Sequence, residues 1–497
     1  MRRLALGCGA LLACGQPGAS GDTGAIETGG QTSEASSASG TVETSDGSGG
    51  NTASDSDGGS TTGTDDLPPE FSDEEWAALL ELSPDPLPAP PPDLTNAWAD
   101  DPAAAALGQA FFFTTVFSGR LLDGDQNGTG TSLGNKGEAG KVSCASCHVP
   151  DDAFTDTRSP SKQISLGAGW GRRRAPSLLD VGHAQLLMWD GRHDTLYNQV
   201  FGPLESPVEM NSSRLFVAQQ VFAHFREPYE AVFGPMPPLD DTARFPSITP
   251  EVTGCTPAGS EVPMVCDGEI HGSPGDGAEF DGMAAADRDA VTRVVVNVGK
   301  AIGAYERKLA CGPGRFDAWL HGDADALTPS EQRGAKLFVG AADCVSCHAG
   351  PFLSDQQFHN VGVVPAIVAS AFIDADDRGA IVGLALAIDD PLSSRGVYSD
   401  GDDDRLPDTV DDSHEGAFRT PTLRCVAQRP SFLHTGQALG LAPVVAHFDA
   451  GGGPAGGYPG TNELVPLGLT ADDRADLVAF LRTLDGPGAD EDLRHAP

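Results

Sequence analysis

Two short stretches of the chain pair two cysteines with a histidine at identical spacing. The frame C-x-x-C-H occurs at Cys144, Cys147 and His148, and again at Cys344, Cys347 and His348. Two thiols three positions apart on one helical turn can both add to the vinyl groups of a haem, and the histidine that follows then reaches the iron. The alternatives are a zinc site or a disulfide pair, but a zinc site would need four ligands from paired frames in one place. The frames therefore predict two covalently bound haem c groups with His148 and His348 as axial ligands.

The elements that must position these frames are predicted to be helices. One helix over Ala103–Phe117 precedes the first frame, and apolar residues at one-face spacing predict a long helix over Asp287–Leu309. A capping box at Thr328 begins a helix that runs to Phe338, before the second frame. Another capped helix is predicted over Thr470–Leu484. Strand-like alternation is scarce, so the predicted fold class is mainly α, with two cytochrome c-like haem domains and long loops.

Composition divides the chain further. We expect a signal peptide over 1–14, a linker over 15–97, a first haem domain over 98–310 with a loop insertion at 236–285, a second haem domain over 311–486 and a tail over 487–497. Gly, Ser and Thr fill 32 of the 52 positions from 15 to 66. Such a segment cannot bury enough apolar surface to offset its ordering entropy, so it is expected to be a disordered tether. The Pro-rich stretch 67–97 is expected to be extended, with one turn of helix near Trp76.

The first residues indicate export. Two arginines and the apolar stretch Leu4–Ala13 precede Cys14, which resembles a bacterial lipoprotein signal with Cys14 as the lipidated residue. The alternative is a short secretory signal without a lipid. Covalent haem attachment also takes place outside the cytoplasm. We therefore expect a periplasmic protein of a Gram-negative bacterium that touches the membrane only through a lipid anchor.

The charge balance bears on the partner. Lys and Arg number 31 against 71 Asp and Glu, a formal net charge of −40. Nucleic acids and anionic membranes bind clustered basic residues, so neither is the expected partner. An acidic surface suits a basic partner protein.

Further cysteines lie outside the signal and the haem frames. They are Cys255, Cys266, Cys311 and Cys425. In an oxidising compartment an even number suggests two disulfides. Proximity in sequence favours a Cys255–Cys266 bridge within the loop insertion and a Cys311–Cys425 bridge near the second frame, although three pairings are open.

Other motifs follow in a fixed order along the chain. They are Arg174-Ala175-Pro176-Ser177-Leu178-Leu179, Trp189-Asp190-Gly191-Arg192, Gln199, Pro203 to Met210, Phe316-Asp317, Thr420-Pro421-Thr422-Leu423-Arg424, His434-Thr435-Gly436 and Val478-Ala479-Phe480-Leu481. Together with the two frames, they make the chain similar to the bacterial dihaem cytochrome c peroxidase and MauG family over about residues 100–485.

The resemblance implies a peroxidatic haem on His148 and an electron-transfer haem on His348. It also implies that Trp189 lies between the haems and conducts electrons, although a lone tryptophan is more often core packing. The implied enzyme reduces hydrogen peroxide to water with electrons from a small redox protein, either a cytochrome c or a cupredoxin. The alternatives are a MauG-like oxidase of a partner protein and a dihaem electron carrier without substrate chemistry. Family members are often homodimers.

The distal pocket of the first haem is implied at Gln199, Pro203 and Glu209, which follow Trp189 at the spacing of the family. Cleavage of the O–O bond of peroxide requires a proton to leave one oxygen and to reach the other, and one carboxylate can do both. Without its surroundings, an acid in a Pro-Val-Glu-Met run would be interpreted as a solvated surface residue.

Both haem sites depart from the family pattern. Ala168 stands where many members carry a distal histidine, so we expect an open first iron. At the ligand position of the second haem stands Phe448, with His447 beside it, and the last methionine of the chain is Met283, before the second frame. The sixth ligand of the second haem is therefore left open among His447, Tyr398, Tyr458, His359, water and none.

Calcium is the other cofactor that the family implies, bound between the haems by an asparagine side chain. Arg174 stands at that position, and its guanidinium has no acceptor atom and carries positive charge. This substitution puts calcium in doubt, although carbonyl groups near Arg419–Pro421 offer ligands. The acidic run Asp400–Asp404 resembles a calcium loop weakly and is better interpreted as a solvated loop.

Overall fold

The structure is a computed structural model that describes residues 68–122, 133–158, 164–250, 253, 256–257, 264–265, 278–366 and 377–497. The predicted signal peptide with Cys14, most of the tether, and the predicted Cys255–Cys266 bridge lie outside these residues. Within them, no helix combines the length and the apolar character that crossing a membrane requires.

The described part of the chain is mainly helical, as predicted. The α-helices are α1 (Asp73–Glu81), α2 (Pro102–Phe113), α3 (Cys144–Cys147), α4 (Leu196–Gln199), α5 (Phe201–Glu205), α6 (Arg214–His224), α7 (Arg226–Phe233), α8 (Ala278–Asp281), α9 (Ala285–Glu306), α10 (Arg315–Leu320), α11 (Pro329–Val339), α12 (Ala380–Asp389), α13 (Leu441–Asp449) and α14 (Ala471–Thr483). Two-residue strands form two antiparallel pairs, β1 (Thr256–Pro257) with β2 (Met264–Val265) and β3 (Phe358–His359) with β4 (Phe418–Arg419).

The helices that the sequence predicted form close to their predicted bounds. The Thr328 side chain caps α11 in a reciprocal box with Glu331, and Thr470 caps α14 with Asp473 in the same way. The helix predicted over Asp287–Leu309 is α9, and its apolar face is buried. The first predicted helix ends at Phe113, four residues early, because Thr114 has an extended backbone.

Two clusters of buried apolar side chains form the main cores. The first lies among α2, α4, α6 and α9, and the second among α1, α10, α11, α13 and α14. A glycine allows the central helices of each cluster to approach closely: a Cβ at Gly108 of α2 would lie 1.9 Å from the carbonyl oxygen of Ala301 on α9. A Cβ at Gly334 of α11 would lie 2.0 Å from the carbonyl oxygen of Asp476 on α14. Each main core is therefore built on one intimate helix pair.

The prediction of a linker through residue 97 is wrong for its last part. Instead of a single turn near Trp76, α1 covers nine residues and begins with a capping box between Ser72 and Glu75. Leu79 and Leu82 are fully buried in the second core. The many prolines that follow α1 favoured the prediction of an extended segment. The helix forms nevertheless, because its apolar face packs into the second core.

A buried ion pair fastens this segment to the second core. Arg424 Nη1 donates to Asp317 Oδ2 at 2.6 Å, and Arg424 Nη2 donates to the carbonyl oxygen of Leu82 at 2.9 Å. The hydroxyl of Ser83 donates to Asp317 Oδ1 at 2.5 Å. Arg424 and Asp317 belong to motifs that carried the family resemblance, and their role in this chain is structural.

A disulfide joins Cys311 to Cys425, the second of the two predicted pairs, with 5.9 Å between the Cα atoms. It links residues 114 positions apart. The four cysteines of the haem frames are not in disulfides.

Candidate active site

The first frame folds as a single helical turn. Ser143 and Ser146 cap each other around α3, and His148 follows directly. The Nδ1 atom of His148 lies 3.1 Å from the carbonyl oxygen of Phe154. With the proton on Nδ1, the lone pair is on Nε2, which is the atom that ligates iron. Burial lowers the pKa of His148 and so favours the neutral form that a metal requires.

The second frame holds its histidine in the same way. Cys344–Ser346 is a turn of 3-10 helix, and Nδ1 of His348 lies 2.8 Å from the carbonyl oxygen of Leu353. Burial also lowers the pKa of His348. Both acceptor residues have a left-handed backbone, with φ of 54° at Phe154 and 48° at Leu353. The same local device thus fixes both imidazole rings.

The loop behind each histidine is clamped by a matching hydrogen bond. Thr155 Oγ1 donates to the carbonyl oxygen of Ala175 at 2.7 Å, and Ser354 Oγ donates to that of Thr420 at 2.7 Å. Both acceptors belong to a five-residue pattern, Arg-x-Pro-Ser/Thr-Leu, which begins at Arg174 and again at Arg419. Both segments contribute to the family resemblance as separate motifs, and their common pattern is an internal repeat of the sequence.

The four thiols of the frames are half-buried and form no disulfide. Burial raises the pKa of Cys144 and Cys344, and it raises the pKa of Cys147 to about 12. Two free thiols beside a histidine whose Nε2 carries the lone pair fit the covalent attachment of a haem at each frame. The residues present therefore suit two haem c groups.

Above the first frame, the structure brings Ala168 beside Glu209. The Ala168 amide donates to the carbonyl oxygen of Glu209 at 2.7 Å, and the Gly169 amide donates to that of Val208 at 2.9 Å. A side chain at Gly167 would not fit, because its Cβ would lie 2.4 Å from the Glu209 carbonyl oxygen. The residue whose backbone pairs with Glu209 thus has a fully buried methyl group as its side chain, which cannot ligate iron.

The environment of Glu209 favours its protonated form. Burial raises the pKa of Glu209, while the Arg192 charge and a hydrogen bond from Ser206 lower it to a smaller extent. The Glu209 charge in turn contributes to the raised pKa values of Cys144 and Cys147. The carboxyl group therefore lies within electrostatic reach of the first frame.

The other predicted distal residues contact chain neighbours of Glu209 and of Trp189. The carbonyl oxygen of Pro203 accepts the Met210 amide at 3.0 Å, which ties α5 to the residue after Glu209. Gln199 Nε2 contacts the Met188 sulfur at 3.3 Å, next to Trp189 in the chain.

Trp189 joins the two repeated segments. Its indole Nε1 donates to the carbonyl oxygen of Arg174 at 2.7 Å, and its own carbonyl oxygen accepts the Arg419 amide at 2.8 Å. The ring lies 6.5 Å from the His434 ring, edge to face. Trp189 is thereby fixed by both halves of the repeat.

The residues around Trp189 do not fit calcium. Arg174 is buried, its Nε donates to Thr155 Oγ1 at 3.2 Å, and its Nη2 is a buried donor without a hydrogen-bond partner. The Thr420 carbonyl oxygen, which the sequence offered as a ligand, already accepts the Ser354 hydroxyl. A buried guanidinium at this place would repel a divalent cation.

Two of the candidate ligands for the second haem have their ring nitrogens engaged. His447 Nε2 lies 2.8 Å from the carbonyl oxygen of Val361. His359 lies between two carboxylates, with Nδ1 2.7 Å from Glu463 and Nε2 2.8 Å from Asp355. Contact with Cys347, Glu463 and Asp355 raises the pKa of His359 to about 10, and a protonated imidazole cannot ligate iron.

The two tyrosine candidates differ from each other. The Tyr398 hydroxyl donates to Asp289 Oδ1 at 2.8 Å and packs against the first core, away from the second frame. Tyr458 lines a pocket with Phe418 and His434, and its hydroxyl has one long contact, 3.4 Å to the carbonyl oxygen of Gly453. Of the four side chains, the hydroxyl of Tyr458 is the least engaged.

Several known proteins are similar to this chain. A family model for di-haem cytochrome c peroxidase matches residues 102–250. The cytochrome-c peroxidase IdrP1 of Denitromonas iodatirespirans is 27% identical over 419 residues, which cover 83% of this chain and 87% of that protein. The methylamine utilization protein MauG of Methylorubrum extorquens is 26% identical over 396 residues, covering 80% and 82%. The cytochrome c551 peroxidase of Pseudomonas aeruginosa is 28% identical over 349 residues, covering 69% and 73%.

Solved structures support the same fold. A MauG-like protein associated with microbial copper homeostasis superposes with a TM-score of 0.52 at 24% identity, covering 83% of this chain and 96% of that one. The dihaem peroxidase BthA of Burkholderia thailandensis gives a TM-score of 0.52 at 24% identity, covering 78% and 86%. The fold and the paired frames define a dihaem oxidoreductase. The chain is similar to di-haem cytochrome c peroxidases and to MauG proteins.

Proposed function

We propose that this oxidoreductase is a peroxidase that reduces hydrogen peroxide to two water molecules, with two electrons from a small redox protein and two protons. The donor would be a cytochrome c or a cupredoxin. The observation that carries the proposal is the pairing of Ala168 with Glu209 near the first frame. A carboxyl group beside a side chain that cannot ligate iron suits a site that must admit and protonate a small substrate.

The residues of the frames would hold the cofactors. His148 and His348 would ligate the two irons through Nε2, and the frame cysteines would form the thioether bonds. The bound haems would supply the electron storage and the redox chemistry of O–O bond cleavage. The rest of the chemistry falls on the side chains around the first frame.

Glu209 would move the protons. As a carboxylate it takes a proton from the near oxygen of peroxide, and as a carboxylic acid it returns that proton to the far oxygen, which leaves as water. Burial raises the pKa of Glu209, which makes its carboxylate a stronger base and so favours the uptake of the proton from peroxide. Gln199 and Pro203 would line the same pocket and exclude bulk water.

Trp189 would carry electrons from the second haem to the first. Its hydrogen bonds to Arg174 and Arg419 fix the ring between the two repeated segments, so that little reorganisation is needed when an electron passes. The haem domain bounds 98–310 and 311–486, the periplasmic location, the lipid anchor at Cys14 and a homodimer are proposed on the sequence and the family alone.

The test is peroxide-dependent oxidation of reduced cytochrome c by the wild type and by Glu209→Gln. The variant should lose about 10²-fold or more in turnover, because an amide cannot shuttle the proton. Haem content is measured in parallel. Glu138→Gln removes the same charge at an exposed site and should retain activity. Near wild-type turnover in Glu209→Gln would remove Glu209 from the mechanism.

The pH profile tests the same residue independently. Glu209 must be ionised to act as a base, and burial raises its pKa. The acid limb of kcat/KM should therefore lie at higher pH than an exposed glutamate would give, with activity lost as the pH falls through the raised pKa. This limb should vanish from the residual activity of Glu209→Gln.

A second candidate function is oxidation of a partner protein, as the methylamine utilization relatives suggest. The observation that favours it is the second haem, which has Phe448 at the ligand position and no methionine beyond Met283. It would be preferred if the diferric protein consumed peroxide but oxidised neither a reduced cytochrome c nor a reduced cupredoxin.

A further inference from the structure

Two equivalent arginines flank Trp189. Arg174 and Arg419 occupy the first position of the repeated Arg-x-Pro-Ser/Thr-Leu pattern, one from each half of the chain. The Arg174 carbonyl oxygen accepts the Trp189 indole N–H, and the Arg419 amide donates to the Trp189 carbonyl oxygen. The repeat therefore ties the backbone of one arginine from each half of the chain to the same tryptophan.

These arginines lack the carboxylate partners that buried cations need. Arg174 is only 5% exposed, and burial lowers the pKa of Arg174 and of Arg419 to about 10, so that both stay protonated at neutral pH. In the described ranges, neither side chain forms an ion pair. The contrast with Arg173 is direct, because Arg173 pairs with Asp190 at 2.5 Å and with Asp377 at 2.6 Å.

The hydrogen bonds of the pair are also incomplete. Arg174 keeps a buried Nη2 donor without a partner. Arg419 makes two long contacts, 3.4 Å from Nε to the Met188 carbonyl oxygen and 3.3 Å from Nη1 to Gln356 Oε1. The charges of Asp156 and Asp152 act on Arg174 without an ion pair, and Arg419 is half-buried. Buried polar groups are hydrogen-bonded in native proteins, so the free Nη2 of Arg174 leaves room for an acceptor that the protein does not supply.

The cofactors bring suitable anions. A haem c is attached through its vinyl groups and keeps two free propionate carboxylates. A guanidinium binds a carboxylate through two parallel hydrogen bonds. It is also a cation that belongs to the chain and stays charged, whereas a calcium ion has to be bound from solution.

We propose that Arg174 and Arg419 form a permanent cation site beside Trp189, which binds haem carboxylates and replaces the calcium ion that the family uses between its haems. The proposal rests on the presence of the two haems and does not depend on peroxidase activity. Both arginines are positioning residues in this account, since they act on the haems and on Trp189.

Calcium dependence is the first test. The purified holoprotein, analysed for metals and then treated with EGTA, should contain substoichiometric calcium and keep its haem absorption spectrum and midpoint potentials after chelation. One calcium ion per chain, with a spectrum or potential that changes on its removal, would overturn the proposal. This test needs no variant, so it stands even if a substitution prevents folding.

Charge removal is the second test, read by potentiometric titration of the haems. A nearby cation disfavours the ferric state, so Arg174→Gln and Arg419→Gln should each shift a haem midpoint potential to lower values. Arg174→Lys should keep most of the wild-type potential. Arg378→Gln is the matched control, because Arg378 is exposed and paired with Glu415. Unchanged potentials in both glutamine variants would overturn the proposal, whatever the protein does with peroxide.

Discussion

The two C-x-x-C-H segments hold their histidines alike, yet their wider surroundings differ. Near the first frame, Glu209 is a half-buried acid whose backbone pairs with that of Ala168, and desolvation raises its pKa. Near the second, His359 and His447 have their ring nitrogens engaged by carboxylates or by a carbonyl group. The comparison teaches that an attachment motif specifies a haem, whereas side chains brought from elsewhere in the chain specify what that haem can do.

The largest expected effect comes from closing the first site. Ala168→His would place an imidazole beside Glu209, where it can ligate the iron and exclude peroxide. The diferric variant should become low-spin and lose its reaction with peroxide, both read by absorption spectroscopy. Ala168→Leu adds comparable bulk without a ligand atom and should stay high-spin. A high-spin, peroxide-reactive Ala168→His protein would show that residue 168 does not face the iron.

The next largest effect is expected on the stability of the second core, where the ion pair between Arg424 and Asp317 is buried. Asp317→Asn leaves Arg424 as an uncompensated charge in the second core, where its side chain is fully buried. We expect the free energy of unfolding to fall by about 3–5 kcal/mol, measured by urea denaturation followed by circular dichroism. Asp323→Asn, at an exposed position nearby, should change it little. A loss no larger than that of the control would mean that the ion pair contributes little.

The first core contains a buried acid, Glu306, which unlike Asp317 forms no ion pair in the described part of the chain. Burial alone raises the pKa of Glu306 to about 8. The folded state then holds a proton that the unfolded state releases near its ordinary pKa, so stability is lost as the pH rises. Between about pH 6 and pH 8 the loss should be about 2 kcal/mol, and Glu306→Gln should remove it. An identical pH dependence in wild type and variant would contradict the raised pKa.

The smallest effect is expected at the second haem. Because His447 Nε2 is engaged by the Val361 carbonyl oxygen, His447→Ala should leave the spectrum of this haem unchanged. Tyr458→Phe tests the other candidate ligand by the same measurement, since the Tyr458 hydroxyl is the least engaged of the four candidate side chains. Conversion of a low-spin second haem to high spin in His447→Ala would instead identify His447 as the sixth ligand.

Much of the fold could be predicted because local signals agreed with tertiary packing. The boxes at Thr328 and Thr470 fix the starts of α11 and α14, and one-face periodicity over more than five turns made α9 unmistakable. α1 was underestimated because the composition of residues 67–97 is dominated by proline. Its apolar face gains stability only from a core that the chain builds more than 200 residues later.

The site could be predicted in part. Each C-x-x-C-H frame can be recognised from five consecutive residues. The contact of Ala168 with Glu209 instead depends on the pairing of two separate backbone segments, which the sequence does not reveal. The engagement of His359 by Glu463 likewise joins residues 104 positions apart. The repeat that begins at Arg174 and Arg419 can be found in the sequence. It is hard to recognise because its two copies lie at unequal distances from their C-x-x-C-H frames.

The segment that contains α1 precedes the first core in sequence but packs into the second core. Hydrogen bonds of Leu82 and Ser83 with Arg424 and Asp317 hold it there. A protease that nicks the chain between the two halves would therefore not yield two independent fragments. The amino-terminal fragment would carry away α1, and the carboxy-terminal fragment would keep the vacant place for it. Recombining the two fragments should restore the fold by fragment complementation, whereas removal of the residues before Glu70 should leave the fold intact, because Glu70 and Phe71 contact the second core.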